Sequence, residues 1–133
     1  MELEIKNFAL IIGSMKSGTS SLAAILSQHP QIVYSRRKEP SFFSKDENYR
    51  HGATYYQRNW PDFDANTHRY ALDASTGYTK NQTRKVAGRI RGYPADFKFI
   101  YILRDPVARI LSQMRFQKMK RGSDVPDSTL VTW

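Results

Sequence analysis

The chain has 133 residues, a formal charge of +9 and no cysteine. That length fits one domain with a real core, and 40% apolar with 25% charged residues is ordinary for a soluble globular protein. The absence of cysteine excludes disulfides, thiol catalysis and cysteine metal sites and fits a cytoplasmic protein; no apolar run approaches the roughly 20 residues of a membrane helix, and Glu2, Glu4 and Lys6 are too polar for a signal peptide.

Phe8-Ala-Leu-Ile-Ile12, closed by Gly13, is a continuous apolar run that predicts a buried parallel strand. From Thr19 the pattern turns helical, with Leu22, Ile25 and Leu26 on one apolar face and an expected stop near Gln28, because His29 precedes Pro30. Ile32-Val-Tyr34 predicts a second strand. Ser35 to Asn48 reads as a polar loop interrupted by Phe42 and Phe43, Gly52 to Asn59 as a short helix, and Pro61 to Thr67 as irregular. Tyr70-Ala-Leu-Asp73 predicts a third strand followed by the loop Ala74 to Gly77, and Asn81 to Arg91 a basic surface helix ended by Gly92 and Pro94.

Lys98-Phe-Ile-Tyr-Ile-Leu103 predicts the fourth strand. Asp105 is then a good N-cap and Pro106 a good first helical residue. That helix is expected to run to about Lys120, to bury Val107, Ile110, Leu111 and Met114, and to end at Gly122. Ser123 to Trp133 has no clear pattern. Strands alternating with helices predict an α/β fold with a mostly parallel sheet flanked by helices. Neither a repeat nor a linker divides the chain, which is read as a single P-loop domain over 1–133.

Charge is unevenly placed. From Lys80 to Arg121 only Asp96 and Asp105 oppose a dense series of lysines and arginines. Such a field attracts anions, including nucleotides, sulfated or phosphorylated substrates and nucleic acid; for most of these residues a solvated basic face is the plainer explanation.

Gly13-Ser-Met-Lys-Ser-Gly-Thr-Ser20 joins the first strand to the first helix. A strand-to-helix turn of this composition aims several backbone N–H groups at one point, and the helix N-terminus adds roughly half a positive charge, so the segment is a phosphate cradle. Gly13, Gly18 and Ser20 match the spacing G-x-x-x-x-G-K-[ST]. The lysine does not: threonine stands at position 19 and Lys16 lies inside the loop. An ATPase or GTPase needs that lysine on the β- and γ-phosphates, so the departure counts against one.

A lysine in mid-loop is where the sulfotransferases that use 3′-phosphoadenosine-5′-phosphosulfate (PAPS) carry theirs, and Gly13 to Leu22 resembles their 5′-phosphosulfate loop. The resemblance implies that Lys16 contacts the bridging oxygen and the sulfuryl group, and that Ser17, Gly18, Thr19 and Ser20 contact the 5′-phosphate. A second segment, Tyr101-Ile-Leu-Arg-Asp-Pro106 with Arg109 and Ser112, resembles the family's 3′-phosphate motif. Arg104 follows a parallel strand, the edge where open α/β sheets bind ligands, and its planar fork suits a phosphate. Ser112 lies about two helical turns beyond Asp105, on the same side of the helix. Taken alone, an ion pair with Asp105 accounts for Arg104 and a plain helix-surface serine for Ser112.

Arg36-Arg-Lys-Glu-Pro-Ser-Phe-Phe43 resembles the Lys-Glu-x-x-Phe-Phe segment of the heparan-sulfate-type sulfotransferases and their bacterial relatives, a branch that Tyr55-Tyr56 also echoes. By that resemblance Glu39 is the general base. A hydroxyl attacking sulfur must lose its proton, and a carboxylate within hydrogen-bond reach can accept it; from the residues alone, a solvated glutamate in a charged loop is the alternative. His29, His51 and His68 are rival bases, and their spacing fits no metal site. Asp73-Ala-Ser-Thr-Gly-Tyr78 stands where the branch has Glu-Lys-Ser-Pro-x-Tyr, with Ala74 for the lysine and Thr76 for the proline, which weakens heparan sulfate as the acceptor.

What the resemblance implies is sulfuryl transfer from PAPS, giving 3′,5′-adenosine bisphosphate (PAP), to a hydroxyl or amine of a carbohydrate, lipid or small molecule. It implies no metal and no nucleic-acid partner. The family's domains are longer, with a further strand and a glycine-containing basic loop that lack counterparts here, so the chain is expected to be an N-terminal part of a sulfotransferase domain. Two other classes stay open. A P-loop kinase would bind ATP with magnesium; a non-catalytic polyanion binder would show strong salt dependence without preference for a 3′-phosphate.

Overall fold

The apolar run at Phe8 becomes β1 (Asn7–Gly13) of a computed structural model that describes residues 3–121. The chain divides into two compact units, Met1–Ile102 and Leu103–Trp133. In the first, β1 is followed by α1 (Thr19–Leu26), β2 (Ile32–Tyr34), α2 (Asp46–Tyr49), α3 (Gly52–Gln57), β3 (Tyr70–Asp73), a 3₁₀ turn (Thr76–Thr79), α4 (Thr83–Gly92) and β4 (Asp96–Tyr101). The four strands lie in the order β2-β3-β1-β4, and each pair is parallel. β1 is therefore hydrogen-bonded on both sides, with Phe8 opposite Ala71 of β3 and Phe97 of β4. A strand flanked on both sides and covered on both faces reads as an unbroken apolar run, as Phe8 to Ile12 does.

Side chains alternate across β1 and meet two different layers. Phe8 and Leu10 enter a core of Phe42, Phe43, Tyr56, Trp60, Tyr78, Val86 and Tyr93. The Phe8 ring lies 5.2 Å from Tyr56, 5.2 Å from Trp60 and 5.4 Å from Phe97. Ala9 and Ile11 face the other way, against Ala23 of α1 and against Leu72 and Ala74. That second layer is thin, and the small Ala23 sits at its centre. The helix is therefore turned so that Leu22, Ala23 and Leu26 face the sheet. Ile25, expected on this face, is 64% exposed instead.

Two features differ from the sequence pattern. β4 begins at Asp96, two residues before the apolar run, because Asn7 pairs with Asp96 and the Asp96 amide donates to the Lys6 carbonyl at 2.8 Å. A short helix, α2, falls within the stretch expected as loop. Its Asp46 accepts from Lys85 at 2.7 Å and Arg89 at 2.6 Å on α4, and these bonds hold its carboxyl down at about 2. Arg89 also donates to the Phe43 carbonyl at 3.1 Å and lies 4.3 Å from the Tyr49 ring centre. One member of the basic series thus ties α4 to the segment after Phe43.

In the second unit, Pro106–Arg121 forms α5. Asp105 caps it as expected, its Oδ1 accepting from the Ala108 amide at 2.8 Å. The expected burial does not hold: Val107 is 64% exposed and Leu111 46%, Ile110 is also exposed and Met114 is half-buried. α5 is the only element of this unit among the described residues, and one helix has no second layer of its own to bury a stripe against. Gly122, expected to end the helix, and the tail Ser123 to Trp133 lie outside the described residues. Among those residues no helix is long and apolar enough to cross a membrane.

Because Phe8 is fully buried at the centre of the aromatic layer, Phe8→Ala is expected to cost about 3–5 kcal/mol of stability. Urea unfolding of the two proteins measures it, and a loss under about 1 kcal/mol would mean that this layer does not hold the sheet.

Candidate active site

Parallel pairing brings the carboxyl ends of all four strands to one edge of the sheet. The segment after β1 is the phosphate loop. Lys16 has φ 61° and Gly18 φ 85°, both left-handed, on either side of Ser17. Only Gly adopts this region without strain, and an ideal Cβ at Gly18 would meet no atom within 4 Å, so the loop opens to solvent there. Ser17 is buried, with its hydroxyl 2.6 Å from that of Ser14. The first helical bond of α1 runs from the Leu22 amide to the Gly18 carbonyl at 3.0 Å. The amides of Thr19, Ser20 and Ser21 therefore precede the helical ladder and have no acceptor within it. Left-handed residues followed by unladdered amides form an anion-binding concavity, which fits the phosphate end of a nucleotide. Gly13 is needed for a different reason: a Cβ there would lie 2.6 Å from Thr79 Oγ1 and 3.0 Å from the Tyr101 ring.

Glu39 lies in the segment after β2, pinned on both sides. Before it, the Ser35 amide donates to the Leu72 carbonyl at 3.1 Å and the Arg36 amide to Asn59 at 2.6 Å. After it, the Ser41 amide donates to Ser75 Oγ at 2.9 Å and the Phe42 amide to the Tyr78 hydroxyl at 3.1 Å. Phe42 and Phe43 are anchored in the core. Glu39 itself is exposed, and its Oε1 accepts from Thr76 Oγ1 at 2.9 Å.

The anchor beneath these contacts is Asp73, at the end of β3 and wholly buried. Its Oδ2 accepts from Tyr56 at 2.6 Å and Tyr78 at 2.7 Å, and its Oδ1 from Ser75 at 2.5 Å. Burial pushes the carboxyl above its ordinary 3.8, and the three hydroxyls oppose the shift. Burial, then the Asp73 charge, pushes the Tyr56 and Tyr78 hydroxyls well above their usual value. A buried carboxylate is tolerable only when so saturated with donors, and Ser75 and Tyr78 each pass the connection on to the Glu39 segment.

The 3₁₀ turn joins the two loops. Thr76 at its start holds Glu39; Thr79 at its end donates to the Ile12 carbonyl of β1 at 2.5 Å. Three steps of a 3₁₀ helix advance about 6 Å. The first unit thus brings the phosphate loop, Lys16 to Ser20, and Glu39 to one edge. Two histidine rivals lie elsewhere: His29 shortly precedes β2 and His68 shortly precedes β3, at the opposite edge. Their Nδ1 atoms accept from the Gln31 and Asp64 amides, closing turns. His51 lies between α2 and α3, its ring 4.7 Å from that of Tyr55. Arg104 and Ser112 belong to the second unit, Arg104 before α5 and Ser112 on it. Among the described residues no group of His, Asp and Glu forms a metal site.

The Asp73 network was missed from sequence, where an aspartate closing a strand reads as a polar terminator. The available signal was an acid set between Ala71-Leu72 and Ala74 with tyrosines nearby. Because the native carboxyl titrates above the unfolded one, its stabilising contribution is complete below the ordinary aspartate range and is lost as pH rises through the raised value. The stability of the wild type relative to Asp73→Asn should therefore fall as pH rises from the ordinary aspartate range. Denaturant unfolding across that rise tests the sign, and a rising difference would mean that the donors outweigh burial.

Comparison with known proteins identifies the family and the fold. The Sulfotransferase domain model matches residues 6–132. Membrane-associated sulfotransferase kil1 of Dictyostelium discoideum is 33% identical over 124 residues, 92% of this chain and 26% of kil1. Heparan sulfate glucosamine 3-O-sulfotransferase 5 of Mus musculus is 33% identical over 104 residues, covering 78% of this chain and 29% of that protein. Among solved structures, a sulfotransferase from Alicyclobacillus acidocaldarius superposes with a TM-score of 0.75 at 28% identity, covering 93% of this chain and 55% of that one. The chain thus spans under a third of these two relatives and about half of the solved neighbour. With a family match along nearly its whole length, a parallel sheet and a phosphate loop after the central strand, the chain belongs to the sulfotransferase family.

Proposed function

We propose that the protein transfers a sulfuryl group from PAPS to a hydroxyl or amine of an acceptor. The observation that carries this reading is the proximity of two devices on one sheet edge: an anion cradle after β1, and a carboxylate held one 3₁₀ turn from the end of that strand. In this scheme Glu39 takes the acceptor proton as the acceptor oxygen bonds to sulfur. The sulfur–oxygen bond to the 5′-phosphate breaks, and PAP leaves with the bonding pair. Lys16 and the amides of Ser17, Gly18, Thr19 and Ser20 carry the charge that develops on the sulfuryl group and leaving phosphate. Arg104 and Ser112 take the 3′-phosphate; the family match through residue 132 supports this assignment. Both units then belong to one sulfotransferase domain.

A sulfuryl group carries less charge than a phosphoryl group, so the scheme calls for positioning and dipoles rather than a metal. The carbohydrate-acting relative makes a sugar hydroxyl the first acceptor class to test. Ala74 in place of the lysine, however, leaves no cation at that position for a polyanionic chain.

Calorimetric titration with PAP, ATP-magnesium and AMP discriminates the classes. Tightest binding of PAP is expected, and tighter ATP-magnesium binding would contradict the proposal. In a transfer assay, Lys16→Ala should abolish most turnover. Glu39→Gln should lower kcat about 10²-fold or more with donor affinity nearly intact; full turnover in that variant would place the base elsewhere.

A further inference from the structure

Among the described residues, Glu39 is held by only one of its two carboxylate oxygens. Oε1 accepts from Thr76 Oγ1 at 2.9 Å and from the Thr76 amide at 3.4 Å, while no described residue donates to Oε2. Thr76 is only 9% exposed, whereas Glu39 is open to solvent. The donor is thus fixed and the acceptor reaches out from it. Thr76 is fixed from both sides. Ser75 before it is locked to Asp73 and holds the Ser41 amide; Thr79, at the other end of its turn, is bonded to β1. The clamp and the segment it clamps rest on one buried network.

The residue type matters. Proline, which the resembling motif carries here, has neither an amide hydrogen nor a hydroxyl. Threonine supplies both, and both converge on one oxygen. A glutamate side chain turns about several bonds, so a base in an open edge needs a restraint that leaves its proton-accepting atom accessible.

We propose that Thr76 is a positioning residue for the base, holding Oε1 of Glu39 so that Oε2 is presented to the acceptor hydroxyl. This rests on Glu39 being the base. Thr76 touches no reacting atom and acts through the carboxylate alone.

The test compares sulfuryl transfer by the wild type, T76V, T76S, E39Q and the double variant T76V/E39Q, with PAP affinity measured for each. Valine keeps the shape and removes the hydroxyl; serine keeps the hydroxyl. T76V should lower kcat about tenfold, the size of one hydrogen bond to a charged group, with acceptor KM and PAP affinity within about twofold of wild type. T76S should recover to within about threefold, and the double variant should be no slower than E39Q alone. Wild-type kcat in T76V, a rise in KM only, or losses that multiply in the double variant would overturn the proposal while leaving Glu39 as the base. Wild-type turnover in E39Q would instead overturn the assignment of the base, and absence of transfer by the wild type would overturn the proposed function.

Discussion

Parallel strands cannot be joined by hairpins; each connection must cross back over the sheet before the next strand starts. Every segment that leaves a carboxyl end therefore emerges on the same edge. With β1 between β3 and β4, the chain leaves β1 for β2 and β3 on one side and returns after β3 to β4 on the other, which opens a crevice beyond the end of β1. The placement of the glycine loop, the Glu39 segment and the Asp73–Thr76 turn follows from that constraint. Residues far apart in the chain become neighbours because strand direction leaves them no other edge.

Adjacency alone does not fix a carboxylate to the geometry a reaction needs. The fixing comes from a polar centre set into the aromatic layer. Asp73 gathers Tyr56, Tyr78 and Ser75, and two of these then hold the Ser41 and Phe42 amides. Burying a carboxylate costs stability, while its hydroxyl partners reduce that cost and pass rigidity outward. The aromatic rings packed against Phe8 exclude water from the same place, so core packing and site geometry are supported by the same side chains.

Much of this was legible in the residues. Continuous apolar runs announced β1 and most of β4, and glycine and proline positions announced the turns. The displaced lysine at position 16 separated this loop from that of a nucleotide triphosphatase. Legibility failed where tertiary packing chose among local options. Ile25 fits the helical period, but a thin layer over Ala9 favours Ala23. The apolar residues of α5 have the right spacing, yet spacing does not supply the layer they would pack on. The roles of Asp73 and Thr76 were not legible because a polar residue beside a strand has an ordinary local explanation; only the fold shows that one is buried and the other donates to Glu39. The histidines were ambiguous for the opposite reason. Their chemistry suits a base, and only topology shows that His29 and His68 lie at the edge opposite the glycine loop and Glu39.

The central claim is that a phosphate-bearing nucleotide sits in the loop after β1, beside the base. Its most direct test is an amide NMR titration of the isotopically labelled protein with PAP. Binding there requires the largest shifts at Lys16 to Ser20, with Thr76 and Thr79 responding through their links to Glu39 and β1. Shifts confined to the exposed basic side of α4 and α5, with the loop amides unmoved, would contradict it and leave a polyanion-binding surface in its place.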